Sequence, residues 1–397
     1  MQSHLTTAQS PVSKIRRITH GANHHYFGYY DKSCWDASGR WILGLESTFM
    51  DRPPGAEDKL VVGVIDTHDD YRWQPVAETS AWNWQQGCML QWLGERREVI
   101  FNDRKGGSFI ARIIDLETGH ERIVSRPVYA VNRAGSRAVS LNFSRLQHQR
   151  PGYGYAGVPD AWVRICEPED DGLYALNLET GESQFILSIA EAARFERKPE
   201  FEGKFHRFNH AQFGASLDRF AVLHRYKSSD EEVGLTRLMT LNLDGEELCI
   251  VSDHGFVSHY DWLGESSILA WARRHGTGDR YFLFQDRGTD ISIIGENHFY
   301  CDGHCSFSPD GQWMLTDTYP DETDHRSLML YSMRTGSLHL LGRFLAPPMD
   351  WEIRCDLHPR WNRDGTQICI DSIHEGTRQM YVLDVSDITK GGWPYGI

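Results

Sequence analysis

The sequence predicts an all-β fold: a seven-bladed β-propeller whose ring is closed by an N-terminal strand added to the last blade. Three observations carry this expectation. An apolar strand, a turn and a second apolar strand return along the chain, as in CWDASGRWILGLES, VNRAGSRAVSLNF, FSPDGQWMLTDTY and WNRDGTQICIDSI. A second phrase follows several of these, as in IIDLETGHERIV, ALNLETGESQFIL and LYSMRTGSLHLLG. Together they make four-strand units with a period of ~40 to 55 residues, that of a propeller blade. Finally, the last unit offers three strands, ending at MYVLDVSD, while the first segment, SKIRRITHG, has no partner of its own.

Each element has a local cause. The Asp, Ser, Gly and Arg clusters between apolar runs supply the positive φ and the side-chain bonds of hairpin turns. Alternation on either side of them marks strands. The blades are read at 22–75, 80–125, 126–188, 205–252, 256–296, 298–343 and 352–388, so that 1–397 forms one propeller domain. The third is interrupted by RLQHQRPGYGYAGVPDAWVRICEPEDD, residues 145–171, expected as a long loop over the mouth of the central channel. Residues 1–11 and 389–397 are expected as loosely held ends.

Composition narrows the partners. A net charge of −14 over 397 residues argues against nucleic-acid binding, which needs Lys and Arg to neutralise phosphates. An acidic small ligand stays open, because a local basic pocket can oppose the global field. The sequence shows neither a secretion signal nor an apolar run of membrane-spanning length, so the expected location is cytoplasmic with no membrane partner. Eight cysteines without a CxxC pair fit a reduced compartment. There is no GxxxxGK[ST], GxGxxG or GxSxG, which removes nucleotide-binding loops and a nucleophile elbow.

Histidines sit beside the start of inner strands in five segments: His24/His25, His210, His259, His304 and His358. A ring of blades brings such positions to one axial pocket. His24 and His25, with Tyr29, read as a sugar-contacting wall, and neighbouring Tyr30 as an acid. Arg145 and Tyr153, on the long third-blade loop, read as a lid or subsite. His358, at the start of the seventh blade, reads as a further metal ligand or a substrate donor, and Arg354 beside it as a clamp on a substrate carboxylate. His210 stands at the start of blade four and joins the catalytic set.

Four consecutive blade starts resemble those of oligogalacturonate lyases, seven-bladed propeller enzymes of pectin breakdown. FAVLHRYKS is similar to the segment carrying that family's basic histidine. SHYDWLGESSILAWAR and CDGHCSFSPDGQWMLTDTYPD resemble the segments that carry its metal ligands, and HPRWNRDGTQICIDS resembles its final blade. The likeness covers about residues 205–385. Ulvan lyases, also propellers, use His, Tyr and Arg in a similar channel. One departure is visible: the family's ligand cluster is richer in His and Gln, whereas this chain offers Cys301-Asp302-Gly303-His304.

The resemblance implies β-elimination of uronic-acid-containing glycans, with an acidic oligosaccharide or polysaccharide as partner. It points to His224 as the base, at the end of a strand, with Arg225 facing the other way by alternation. His259, Asp302 and His304 are the expected ligands of a divalent metal: Mn, Zn or Ca. Two imidazoles and a carboxylate suit a borderline ion, and residues two apart on a strand share a side. Two other readings stay open from the residues alone: a noncatalytic glycan- or protein-binding propeller, and a glycoside hydrolase using two of the many aspartates.

Overall fold

The computed structural model describes residues 15–228 and 234–390. The chain folds into seven four-stranded antiparallel sheets, each strand pairing with the next in sequence except at the seam. Blade 1 runs through His24–Tyr26, Trp41–Ser47, Leu60–Asp66 and Arg72–Thr79. Blade 4 runs through Phe205–Phe213, Arg219–Lys227, Leu235–Asn242 and Cys249–Ser252. Blade 7 takes Arg360–Trp361, Gln367–Ser372 and Gln379–Asp384 from the end of the chain, and its outermost strand is Ile15–Arg17. Ile15 lies opposite Leu383 and Arg17 opposite Tyr381. The expected closure is therefore present, and it removes the exposed edge that an open last blade would leave.

The turns work as their sequences require. In FSPDGQW, Gly311 sits at φ +69°, a left-handed conformation that costs a glycine nothing. Ser308 and Asp310 close the same turn by a 2.5 Å hydroxyl-to-carboxylate bond. Apolar faces of neighbouring blades meet between sheets rather than at one centre. Leu45 and Val62 of blade 1 pack in one cluster with Val99 and Phe101 of blade 2 and with Met380 and Val382 of blade 7. The axis is thus left to polar side chains.

Two segments break the blade pattern. The stretch expected as a loop from 145 begins instead inside a helix, Phe143–Gln149, whose N-cap Asn142 accepts from the Arg145 amide at 2.9 Å. From Arg150 to Asp171 the chain has no regular element, and Tyr153 from this stretch reaches the channel mouth. The break after blade 3 forms a short helix, Ile189–Arg194, closed by a Ser188/Glu191 capping box. Of the ends expected as loosely held, 1–11 and 391–397 lie outside the described residues. Thr389 closes a short helix, Ser386–Thr389.

Candidate functional site

A cavity of about 840 Å³ opens at one end of the axis, within the range of small-molecule sites. Its floor is Tyr29, which follows the inner strand of blade 1. Around that ring stand the imidazoles of four blades. Ring centres lie 5.0 Å away for His210, 6.5 Å for His259, 6.2 Å for His304 and 5.2 Å for His358. Convergence of histidines from separate blades is thus a property of the structure.

His259 is placed by a bulge. The pairing of Val257–Leu263 with the next strand shifts between Val257 and Tyr260, which turns the His259 side chain toward the cavity. Its Nδ1 lies 3.0 Å from Asp302 Oδ1 and 3.2 Å from Ser258 Oγ. A carboxylate accepts there, so the proton sits on Nδ1 and Nε2 carries the lone pair. Burial lowers the pKa of this imidazole, and Asp302 opposes that without cancelling it, so the ring is neutral near pH 7. The pair has the parts of a general base with its orienting carboxylate.

His304, Asp356 and His358 offer ligand atoms that all lie within 4.8 Å of one another. His304 is held from behind: Asp317 accepts its backbone N–H at 2.8 Å and its Nδ1–H at 2.9 Å. Its Nε2, with that of His358, has no hydrogen-bond partner although both rings are buried. Gly303 lets the chain approach Asp317 this closely, since a Cβ there would meet the Asp317 carbonyl oxygen at 1.9 Å. His358 takes φ +42° at the entry to blade 7, a region that His tolerates better than most residues. Burial would raise the Asp356 carboxyl, but Arg354 and Arg326, at 2.8 and 2.5 Å, hold it well below the usual carboxylate range.

Two unpartnered imidazole nitrogens and a carboxylate oxygen, backed by a His–Asp pair, fit a divalent cation. Of the expected set His259, Asp302 and His304, the structure groups His304 with Asp356 and His358 and pairs His259 with Asp302. Asp302 is occupied by His259, and the histidine–carboxylate cluster forms between blades 6 and 7. The spacing rule that joined Asp302 to His304 applies equally to Asp356 and His358, two apart in RCDLHPRW.

Several expected site residues point elsewhere. His224 does not reach the cavity. Its ring is fully buried on the other face of blade 4, where Nε2 lies 2.9 Å from His206 Nδ1 and Nδ1 accepts from Arg237 at 3.1 Å. Its chain neighbour Arg225 is the one that lines the cavity. Tyr30 is committed to the fold, since its hydroxyl donates to the Tyr260 carbonyl and accepts from the Tyr260 amide, both at 2.9 Å. His210, at φ +51° in a bulge of blade 4, lies beneath Tyr29 and Tyr30, with Nε2 3.5 Å from Asp31 and off the cavity wall.

Arg145 is a knot rather than a substrate clamp. It is 1% exposed, faces Asp160 at 3.5 Å, and donates to the carbonyls of His206, Trp162, Ile165 and Cys166. That ties the third-blade loop to blade 4. His25 pairs with Glu46 at 3.0 Å and stands edge-on to Trp73, and neither His24 nor His25 lines the cavity. Tyr29 and Tyr153 do line it. Arg354 bonds the Tyr153 hydroxyl at 3.0 Å. Arg207 and Tyr319, which the sequence reading passes over, complete the site together with Asp317 and Asp356, which it names only among the candidate carboxylates of a glycosidase.

The buried His206–His224 pair gives a stability prediction. Burial lowers both imidazoles, His206 to about 4 and His224 well below its ordinary value, with His206 and Arg237 adding to the latter. The folded protein therefore binds fewer protons than the unfolded chain below pH 6.5. Stability is full above that pH and falls as pH drops from 6.5 toward 4, by up to about 3 kcal/mol from His206 alone. Urea unfolding across this range measures it, and His206→Asn is expected to flatten the slope.

No family model matches this chain, and no curated protein matches it. Solved structures do. An oligogalacturonate lyase in complex with manganese superposes with TM-score 0.69 at 16% identity, over 96% of this chain and 94% of its own. An oligogalacturonate lyase from Vibrio parahaemolyticus gives TM-score 0.64 at 14% identity, over 94% of each chain. The tricorn protease gives 0.52 at 12% identity, over 93% of this chain and 35% of its own. The shared feature is the propeller fold, which hosts more than one activity.

Proposed function

We propose that this protein is a lyase that cleaves uronic-acid-containing oligosaccharides by β-elimination. The observation that carries the reading is the His259–Asp302 pair, facing a sugar-sized cavity beside the His304/Asp356/His358 cluster. His259 Nε2 takes the C5 proton of a uronate residue, and Asp302 holds the tautomer and stabilises the imidazolium that forms. The electron pair forms the C4=C5 double bond as the C4–O4 bond breaks. Tyr29, kept protonated because burial raises it well above its ordinary value, donates a proton to the leaving O4.

His304 Nε2, His358 Nε2 and Asp356 Oδ2 would hold the divalent ion, and manganese, named with one of the structural neighbours, is the first to try. When bound, the ion neutralises the C6 carboxylate and so makes the C5 proton more acidic. Hydrolysis is less well supported. Among the described residues the wall of the cavity carries one carboxylate, Asp302, already bonded to His259, whereas glycosidases need two opposed carboxyl groups. No described helix is long and apolar enough to cross a membrane, and a location in the cytoplasm is part of this proposal.

The test is direct. Full-length protein with Mn²⁺ is incubated with oligogalacturonate, ulvan-type and bacterial exopolysaccharide uronides. An ultraviolet-absorbing unsaturated product is expected from at least one class. Reducing ends without that absorbance indicate hydrolysis, and no product from any class overturns the proposal.

A further inference from the structure

Among the described residues, the buried guanidinium groups are compensated with one local exception. Arg360 is held by Asp371 at 2.7 Å, Arg326 by Asp356 at 2.5 Å, and Arg145 by Asp160 and four carbonyls. Arg237 donates to the Ala192 and Phe195 carbonyls at 2.6 and 2.9 Å. The exception is on blade 4. Arg207 and Arg225 stand directly opposite each other on adjacent strands and both line the cavity. Arg207 is 4% exposed and Arg225 half-buried, yet what Arg207 reaches is the Gln149 amide at a long 3.4 Å. Arg225 reaches the Val257 carbonyl, also at 3.4 Å. The Nε of each has no partner, and among the described residues no carboxylate pairs with either.

This arrangement is costly by itself. Like charges directly opposite in a sheet repel, and a buried charge without a counterion is among the most expensive features a fold can carry. Burial pushes both guanidinium groups below their ordinary value; the charge of Arg225 adds to this at Arg207, and that of Arg150 at the rim adds to it at both. Arginine nonetheless keeps its proton in proteins. The cost is removed by an anion lying between the two forks, where each guanidinium can offer paired N–H donors. The chain as a whole carries −14, so a local positive pole is also what lets an acidic ligand approach.

We infer that Arg207 and Arg225 form an oxyanion subsite separate from the base and from the histidine–carboxylate cluster, and that it takes a second anionic group on the sugar next to the one cleaved. The inference rests on the lyase reading for the identity of the sugar. The oxyanion itself follows from the arginine pair. Ring order supports the division. Blade 4 holds the arginine pair, blade 5 the base, and blades 6 and 7 the cluster, so neighbouring sugars of one chain meet them in turn. A carboxylate and a sulfate ester present the same chemistry to the pair, and substrates distinguish them.

The first experiment needs no turnover. At low ionic strength, inorganic sulfate is expected to raise the Tm of the full-length protein saturably, with chloride at matched ionic strength inert. Arg207→Gln and Arg225→Gln are each expected to weaken sulfate binding about 10- to 100-fold, the loss of a charge-assisted pair. Without sulfate, both variants should be as stable as the parent or more so, because a repulsion has been removed. A purely structural arginine predicts the opposite. Arg207→Lys should restore part of the binding.

The second experiment compares disaccharides with a uronate at the cleaved residue and a uronate, a sulfated sugar or a neutral sugar beside it. The doubly anionic substrates are expected to win in kcat/KM, by KM, and Arg207→Gln should erase that preference. Sulfate that leaves Tm unchanged, or that acts equally on parent and Arg207→Gln, overturns the subsite. Sulfate binding with no elimination on any substrate upholds the subsite and counts against the lyase.

Discussion

His259→Ala is expected to lower kcat by about 10²- to 10⁴-fold with little change in KM, the usual contribution of a positioned general base. In the proposed reaction the imidazole meets the reacting C–H rather than the rest of the sugar, so its loss falls on the transition state. The fold should tolerate the change. His259 sits in a bulge facing the cavity, and the Asp302 carboxylate it leaves behind is 16% exposed and can be hydrated. Steady-state kinetics with circular dichroism checks both parts. Asp302→Asn should lose less rate than His259→Ala, because the base is still present but its tautomer is no longer enforced. His224→Ala serves as the contrast. That residue lies in a sealed packet with His206 and Arg237, so its removal should lower stability first. A selective loss of kcat in His224→Ala with His259→Ala active would reverse the assignment.

The second large effect concerns the cluster between blades 6 and 7. The protein is expected to bind Mn²⁺ or Zn²⁺ stoichiometrically, and His358→Asn to lose the ion. Asparagine is the substitute of choice because it accepts the φ of +42° at this position and removes only the imidazole donor. Asp317→Asn keeps all the ligands but releases the His304 ring, and should cost about 10- to 100-fold in affinity. Elemental analysis after dialysis and calorimetric titration with the metal read these outcomes without reference to turnover. Added metal should also raise Tm in the parent and not in His358→Asn, since an ion that binds only the folded state stabilises it. Retention of metal in His358→Asn, or absence of metal from the parent at saturating Mn²⁺, would sink the centre.

At two positions the sequence reading and the structure part by a single residue. The sequence reads His224 as the base and Arg225 as its structural neighbour; the structure puts Arg225 on the cavity and His224 behind the sheet. The sequence reads Tyr30 as the acid; its neighbour Tyr29 faces the cavity, and Tyr30 is locked to Tyr260. A strand has a side-chain period of two, so alternation identifies a strand without saying which parity looks at the axis. Bulges then change parity midway, as at Asn209–Gln212 in blade 4 and Val257–Tyr260 in blade 5. Nothing local in FNHAQFG or VSHYDWL announces them. Arg145 failed for another reason. Its segment looked like an open loop, and only the packed chain shows four carbonyls converging on that guanidinium.

By itself the sequence determined the architecture. Its repeated hairpin phrases, their period and the orphan strand Ile15–Arg17 specify a closed ring of seven blades, because each is a local pattern or a simple pairing requirement. It also pointed to imidazoles of several blades meeting near the axis, and those of blades 4 to 7 do stand around Tyr29, whereas those of blade 1 do not line the cavity. Only the tertiary structure decided which of those imidazoles carries a free nitrogen into the cavity and which is spent on the fold. That choice depends on strand parity, bulge positions and partners supplied by other blades: Asp302 for His259, Asp317 for His304, and Asp356 beside His358. None of these relations exists until the sheets are packed side by side.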